Sequence, residues 1–497
     1  MILAPQVVLN SGESNRRVAD TDGDGAGDLA EAVLLAATAA NDALVTPANQ
    51  GKQYIVVPYS ADGSRPPLPS STMVGLATDI RTVELGFIVD TTSSMASTLT
   101  ALKTGIAGIR TTLDATVATL GIGVAGHDDM PTGAYGATGD LPYYGAPSGP
   151  FITTSATTAQ NAMNSLVIHG GGDAADSQLA AMHYAFEGTA MSWSGGSIPF
   201  TPPTGTRTGG LGFDSRALSV LLHFTDAPAH DGKRALDTTG TSYDAALQNT
   251  YSGVAAGNAD TLVAALNQRS AKVLSFVADN GTRGLAAGDA YGYAAFLADQ
   301  TLSLAPPAAF SPPGACRTGI NGATVAADGP TISGAQACRL VFSHPPDGSG
   351  LSAAVTSAVE TLLRSVRFDV HGRATNAPGP FSPVTAFVAQ LLPQPQGGVD
   401  PITAQVCVTF PQAGRADHFV GTSAMTGTDG ALETITQMNP KAIHCFSLVA
   451  KPNTTRLPTA SPQAFNVQLS ANAETPNGDI PLGIIRDVTF IVPPNTD

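Results

Sequence analysis

Positive charge is scarce in this chain: 24 lysines and arginines stand against 39 aspartates and glutamates over 497 residues, a formal charge of −15. A phosphate backbone needs a basic stripe, so nucleic acid is excluded as a partner. No apolar run approaches the roughly 20 residues of a membrane-spanning helix. The four cysteines, Cys316, Cys338, Cys407 and Cys445, form no CxxC, which removes zinc-ribbon and thioredoxin-like readings. HExxH, nucleophile-elbow, P-loop and dinucleotide patterns are all missing, which argues against an enzyme. The N-terminal MILAPQVVLN lacks the basic and long apolar regions of a secretion signal. The single tryptophan, Trp193, sits in a Ser/Gly loop and reads as packing before contact.

What is present describes a folded, turn-rich protein. Hydrophobic residues make up 43% and charged residues 13%, too apolar for disorder, and 53 glycines with 36 prolines supply many turns. Such a composition is common among secreted bacterial surface proteins, and the length suits two to four domains. Four cysteines allow three pairings. The sequential one, Cys316 with Cys338 and Cys407 with Cys445, keeps each pair inside one structural unit and implies an oxidising compartment. Four buried free thiols are the alternative.

The pattern along the chain divides it into segments. Residues 1–50 hold an acidic loop followed by an Ala/Leu-rich helical stretch. Strands are predicted at 53–60 and 73–80. From 83 to 371 strands and helices alternate. VELGFIVD (83–90), LGIGVAGHD (120–128), ALSVLLHFTD (217–226) and AKVLSFVAD (271–279) are continuous apolar runs, as in parallel strands buried on both faces. Leu99, Leu102, Ile106, Ile109 and Leu113 recur at helical spacing. Further helices are predicted near 157–166, 259–269, 288–300 and 351–365, and VRFDV (366–370) as the last strand. The whole reads as a doubly wound α/β domain, interrupted by a Pro/Gly-rich excursion at 304–349. After 372 short alternating segments signal an antiparallel β-sandwich, which either takes in 51–82 or stands as a separate unit.

Two apolar strands end in acids, Asp90 and Asp226, and in an open sheet ligands bind beyond the carboxyl ends of the strands. Asp90 is followed by Thr92 and Ser94, hydroxyls at alternate positions. One carboxylate and two hydroxyls aimed at one point are the oxygen donors a hard cation takes. Helix N-capping is the bland alternative for such loops. DTTSSM (90–95) resembles the metal-ion-dependent adhesion site of von Willebrand factor A domains. GGGDAADSQL and FTDAPAH resemble the second and third loops of the integrin β-subunit I-like group and its bacterial relatives. The resemblance spans about residues 83–371. It implies Mg2+ (or Mn2+ or Ca2+) held by Asp90, Thr92, Ser94, Asp176 and Asp226, with a position left for a partner's carboxylate. It also places Asp129 and Asp173 at a neighbouring second cation site, although Gly171 stands where the group has Asn. Plain loop hydrogen bonding explains those two acids equally well. Ser97 and Thr98 replace the acids of that group's other adjacent site, which is therefore expected to be missing. The resemblance further suggests that the sandwich is hybrid-like and split by the α/β domain.

Asp20, Asp22, Asp24, Gly25, Asp28 and Glu31 complete the calcium-loop pattern D-x-D-x-D-G-x5-E. No incoming helix precedes it, so it resembles dockerin or thrombospondin-type-3 loops with a structural Ca2+. Among other residues, His127, His223 and His230 lie near strand ends and read as packed or hydrogen-bonded. Tyr135, Tyr143 and Tyr144 lie in a loop expected to border the metal face, where tyrosines suit an interface. The reading is a non-enzymatic, extracellular or cell-surface adhesion protein. Its partner is a protein or acidic glycan presenting a carboxylate, or another copy of the chain. A structural subunit of a surface fibre, with the site bracing the fold or a neighbour, is the alternative. A metal hydrolase ranks last, because no general base accompanies the ligands.

Overall fold

The computed structural model describes residues 53–494, except 146–150, 231–253, 286–288, 333, 402, 410–417, 421–422, 426–434, 439–440 and 477. Asp20, Asp22, Asp24, Asp28 and Glu31, expected to form a calcium loop, lie outside the described residues. The chain separates into two compact units. One is continuous apart from a short return, 80–366 with 475–480; the described residues of the other fall in 53–79, 367–474 and 481–494. Among the described residues, no helix is long and apolar enough to cross a membrane.

The larger unit is built on a six-stranded sheet. Its elements are β1 (Thr82–Asp90), α1 (Ala96–Asp114), β2 (Thr119–His127), β3 (Tyr144–Gly145), α2 (Ala156–Ser165), α3 (Gln178–Phe186), β4 (Leu218–Thr225), α4 (Ala259–Gln268), β5 (Lys272–Val277), α5 (Ala290–Gln300), β6 (Val341–Ser343) and α6 (Leu351–Ser365). The strand order is β6-β5-β4-β1-β2-β3. All neighbours are parallel except β3, which runs antiparallel to β2. The chain therefore leaves β1 toward one edge and returns to β4 on its other side. Right-handed crossovers put connections made in opposite directions on opposite faces of a sheet. The helices pack in two groups accordingly, α1 with α2 and α6, and α4 with α3 and α5.

Burial explains why these segments are strands. All of β1 after Thr82, and all of β4 and β5, are buried. Phe87, Phe224, Phe276 and Phe342 stack across four strands, with ring centroids 5.7, 4.8 and 5.5 Å apart. Leu99, Leu102, Ile106, Ile109 and Leu113 form the buried stripe of α1, at the spacing expected of them.

Two expectations fail here. VRFDV does not close this sheet. Phe368–Asn376 belongs to the other unit, antiparallel to Gln463–Thr475. Its alternation, with Phe368 and Val370 buried and Asp369 exposed, is the signature of a half-covered antiparallel strand rather than a central parallel one. The sixth strand is instead β6, three buried residues inside the excursion at 304–349. That excursion is tied down by the Cys316–Cys338 disulfide and by Arg339, whose guanidinium grips Asp299 at 2.7 and 2.8 Å. Arg283 and Tyr291 meet Asp328 beside it. Replacing Cys316 and Cys338 by Ala lengthens the unfolded chain's freedom over a separation of 22 residues. The loss should be about 3 kcal/mol of stability for this unit. Denaturant melts of the double variant check this, and an unchanged midpoint would show the network alone suffices.

Among the described residues, the second unit contains two larger sheets and two two-stranded ones. In one larger sheet, Gln53–Val56, Gly478–Val492, Gln463–Thr475, Phe368–Asn376 and Ile435–Met438 lie in that order. In the other, Ile443–Ala450 is central, antiparallel to Val388–Pro393 and Ser71–Ala77. A side chain at Gly372 would press on Leu391 and Phe446, so the two sheets meet across a thin apolar layer. Val467, Leu469, Ala471 and Phe490 fill it from one side and Leu76, Phe446 and Leu448 from the other. Cys407 and Cys445 are disulfide-bonded. Both pairs are thus the sequential ones.

Candidate metal centre

The order of the sheet reverses between β1 and β4, and both strands deliver an acid to the same end. Beyond β1 the chain turns on Asp90: its Oδ1 accepts from the Thr92 backbone N–H at 2.9 Å and from Thr92 Oγ1 at 2.7 Å. A single turn of 3-10 helix, Ser93–Met95, then leads into α1. Thr92 Oγ1 lies 3.4 Å from Ser94 Oγ, and Ser94 Oγ donates to Asp226 Oδ1 at 3.1 Å. Thr225 Oγ1 donates to the other Asp90 oxygen at 3.1 Å. The Asp176 carboxyl lies close enough to Asp90 for the two to interact electrostatically. Asp90, Thr92, Ser94, Asp176 and Asp226 therefore converge from three loops. Neither the turn nor α1 has a side-chain N-cap bond, so the hydroxyls are not serving as helix caps.

The site grades from dry to wet. Asp90, Thr92 and Asp176 are buried, Asp226 is half-buried and Ser94 is exposed. Burial pushes the Asp176 carboxyl well above the ordinary carboxylate range, and the charges of Asp90, Asp129 and Asp226 push it the same way. Burial and Asp90 raise Asp226 as well, against the Ser94 hydrogen bond. Carboxylates crowded so that each opposes its neighbour's ionisation are the electrostatic environment a divalent cation relieves.

Backbone bonds hold the three loops in register. The Asp176 N–H donates to Pro228 O at 3.0 Å, and the His230 N–H donates to Asp176 O at 2.8 Å. Ser177 Oγ donates to Asp128 O at 2.8 Å. Gln178 joins the same framework, donating to Ala227 O and meeting His223 Nε2 at 2.9 Å. Gly172 lies where a Cβ would be 2.1 Å from Tyr135 O, so only glycine lets these strands of loop approach.

Asp129 and Asp173 come together, as a pair, around a residue from the third loop. His230 Nε2 lies 3.1 Å from Asp129 Oδ2 and 3.1 Å from Asp173 Oδ1. The Tyr135 ring meets the imidazole edge-on at 5.0 Å.

No protein-family model matches the chain, and no curated protein matches it. Solved structures similar to it include two crystal structures of the pilus adhesin SpaC from Lactobacillus rhamnosus GG, one of them in an open conformation. Each is 11% identical, with TM-scores of 0.30 and 0.31, and the alignment covers 84% of this chain. The chain spans less than half of the adhesin, 45% of its length. Superpositions this loose carry no functional information.

Several side chains at this end of the sheet escape a reading of the sequence. Asp128, fully buried, accepts from Thr91 Oγ1 at 2.6 Å and from the Leu141 N–H, and pairs with His169 Nδ1 at 2.8 Å. Burial raises its carboxyl, against the Thr91 hydrogen bond and the His169 charge. Asp140 accepts from the N–H groups of Ala137, Gly170 and Gly171, which fixes the glycine-rich loop. The adjacency HDD at 127–129 was the only available signal for Asp128. Of the three tyrosines expected at the rim, Tyr143 is buried against Tyr184 at 4.4 Å and belongs to the core. Tyr144 is half-buried and donates to Thr91 and to Val167 O. Trp193 packs on the core, and His127 and His223 are buried.

Proposed function

We propose that this chain is a non-enzymatic, cell-surface or extracellular adhesion protein of the von Willebrand A type, in its integrin β I-like branch. Its larger unit is the doubly wound α/β domain and its second unit the split, hybrid-like sandwich. One observation carries the reading: five oxygen-bearing side chains from three loops meet where the sheet order reverses, and they do not cap the following helix. The parallel strands and their order, with the crevice at the carboxyl ends of β1 and β4, support the fold assignment. The donors are all oxygen, three of them carboxylates, which fits Mg2+ or a similar hard ion. Asp90, Thr92, Ser94, Asp176 and Asp226 would hold it, with the exposed Ser94 side facing a ligand. When bound, the cation supplies a coordination position for a carboxylate oxygen of the partner, a strong central anchor for an interface. The two disulfides suit an oxidising, extracytoplasmic setting. In the same reading Asp20, Asp22, Asp24, Asp28 and Glu31 bind a structural Ca2+.

Peptides carrying a single Asp or Glu, displayed on a surface, test the proposal with the full chain. Capture is expected in Mg2+, lost in EDTA, restored by Mg2+ and absent for the matched Asn and Gln peptides. Capture that ignores EDTA, or that does not distinguish acid from amide, overturns it.

A further inference from the structure

The cluster beside the first site has a different chemistry from it. Asp129, Asp173 and His230 come from three separate loops, and one ligand atom from each lies within 4.8 Å of the other two. The Asp129 and His230 side chains are 0% and 1% exposed, and Asp173 is 33% exposed. A buried imidazole nitrogen stands 3.1 Å from two different carboxylate oxygens. A cation among the three would meet all of these atoms at once.

We propose that Asp129, Asp173 and His230 form a second metal site, selective for Zn2+ or a neighbouring first-row transition ion over Mg2+ and Ca2+. The nitrogen donor decides the class. Imidazole favours zinc and its neighbours, while Ca2+ takes six to eight oxygens and Mg2+ retains its waters. The spacing agrees: donors about 2.0 Å from a tetrahedral zinc lie roughly 3.3 Å apart. Three protein ligands with one of them partly exposed leave a fourth position for water. Tyr135 against the ring edge holds the imidazole's orientation. Charge gives an independent reason. The carboxyls of Asp90, Asp129, Asp173, Asp176 and Asp226 crowd one end of the sheet, an environment that favours a cation beside Asp129 and Asp173 whether or not the first site holds one. The site stands on its own residues and does not depend on carboxylate-directed adhesion.

The experiment uses the full chain stripped with EDTA and returned to millimolar Mg2+, titrated with Co2+ as a spectroscopic stand-in for Zn2+. One equivalent of Co2+ should bind with visible d–d bands and be displaced by Zn2+. X-ray absorption of the zinc-loaded chain should show one imidazole per metal. His230→Gln and, at the more exposed ligand, Asp173→Asn should each weaken Co2+ binding roughly a hundredfold or more. Asp90→Asn should weaken it far less than either ligand variant does, which separates failure here from failure of the adhesion site. A wild-type chain that binds no Co2+ in excess Mg2+, or zinc with no imidazole in its shell, overturns the proposal. So does undiminished binding in both folded variants. In any of these cases His230 is simply the ion-pair partner of the two acids.

Discussion

Asp90→Ala should cut Mg2+-dependent capture of carboxylate ligands by at least roughly a hundredfold and leave the fold intact. Asp90 is the hub of the cluster. It is fully buried, its Oδ1 organises Thr92 through two hydrogen bonds, and its Oδ2 receives Thr225. Removing it deletes one ligand and frees two hydroxyl-bearing residues from their positions. The stability cost has two opposing parts. The Thr92 N–H loses its acceptor, a penalty of about 1–3 kcal/mol if it stays dry. The charges pressing on Asp176 and Asp226 lose their shared source, which stabilises the metal-free protein. The two oppose each other, so the variant in EDTA should melt close to the wild type in EDTA. Asp90→Asn retains an acceptor for Thr92 and guards against a folding artefact. Full binding by a folded Asp90→Asn chain would remove the adhesion site as an explanation. Full binding by wild type in EDTA would do the same.

The parts of this structure that were legible in sequence are those whose signal is local. β1 and β4 announce themselves as continuous apolar runs ending in acids, and α1 by its 3.6-residue stripe. Both disulfides follow from keeping each pair inside one unit. β6 was invisible because it is three residues long and owes its strand character to pairing with β5 across a sheet edge. VRFDV directly follows α6 in sequence, but its buried–exposed alternation is that of an antiparallel strand and it pairs in the other unit. At the site, the first loop could be read from Asp90, Thr92 and Ser94 alone. Asp173 and Asp176 were reached only through a resemblance. Nothing in the sequence pairs His230 with Asp129 and Asp173, or Asp128 with His169, because those partners meet only after three loops fold over one sheet end. Tyr143 misled for the opposite reason: its loop borders the site while its side chain turns into the core.

The contribution of Asp176 and Asp226 to the metal-free protein's stability should fall as pH rises from about 4 toward neutrality, against the opposite slope of buried histidines such as His223, and Mg2+ should reverse most of that fall. Asp176 and Asp226 have folded-state values raised above their unfolded ones, so the native chain holds more protons than the unfolded chain between those values. Their contribution is fully present below the unfolded value near 3.8 and is lost as pH rises through the folded values. Mg2+ competes with those protons, so its stabilising effect must grow with pH. At a hundredfold excess over Kd the effect is about 2.7 kcal/mol near neutrality. Toward acid pH, where Asp176 and Asp226 take up their protons, it should shrink. Glu84 provides an internal control. Burial raises it to about 7, so it adds a slope of the same sign near neutrality. It sits at the opposite end of β1 from Asp90, so that slope should persist in Mg2+. Melting of the larger unit from pH ~4.5 to ~8, with EDTA and with Mg2+, separates the two contributions. Asp176→Asn should flatten the EDTA curve and shrink the Mg2+ effect together. An equal Mg2+ shift at both ends of the range, or an Asp176→Asn curve that parallels the wild type, would mean that the crowded carboxylates are not what the cation meets.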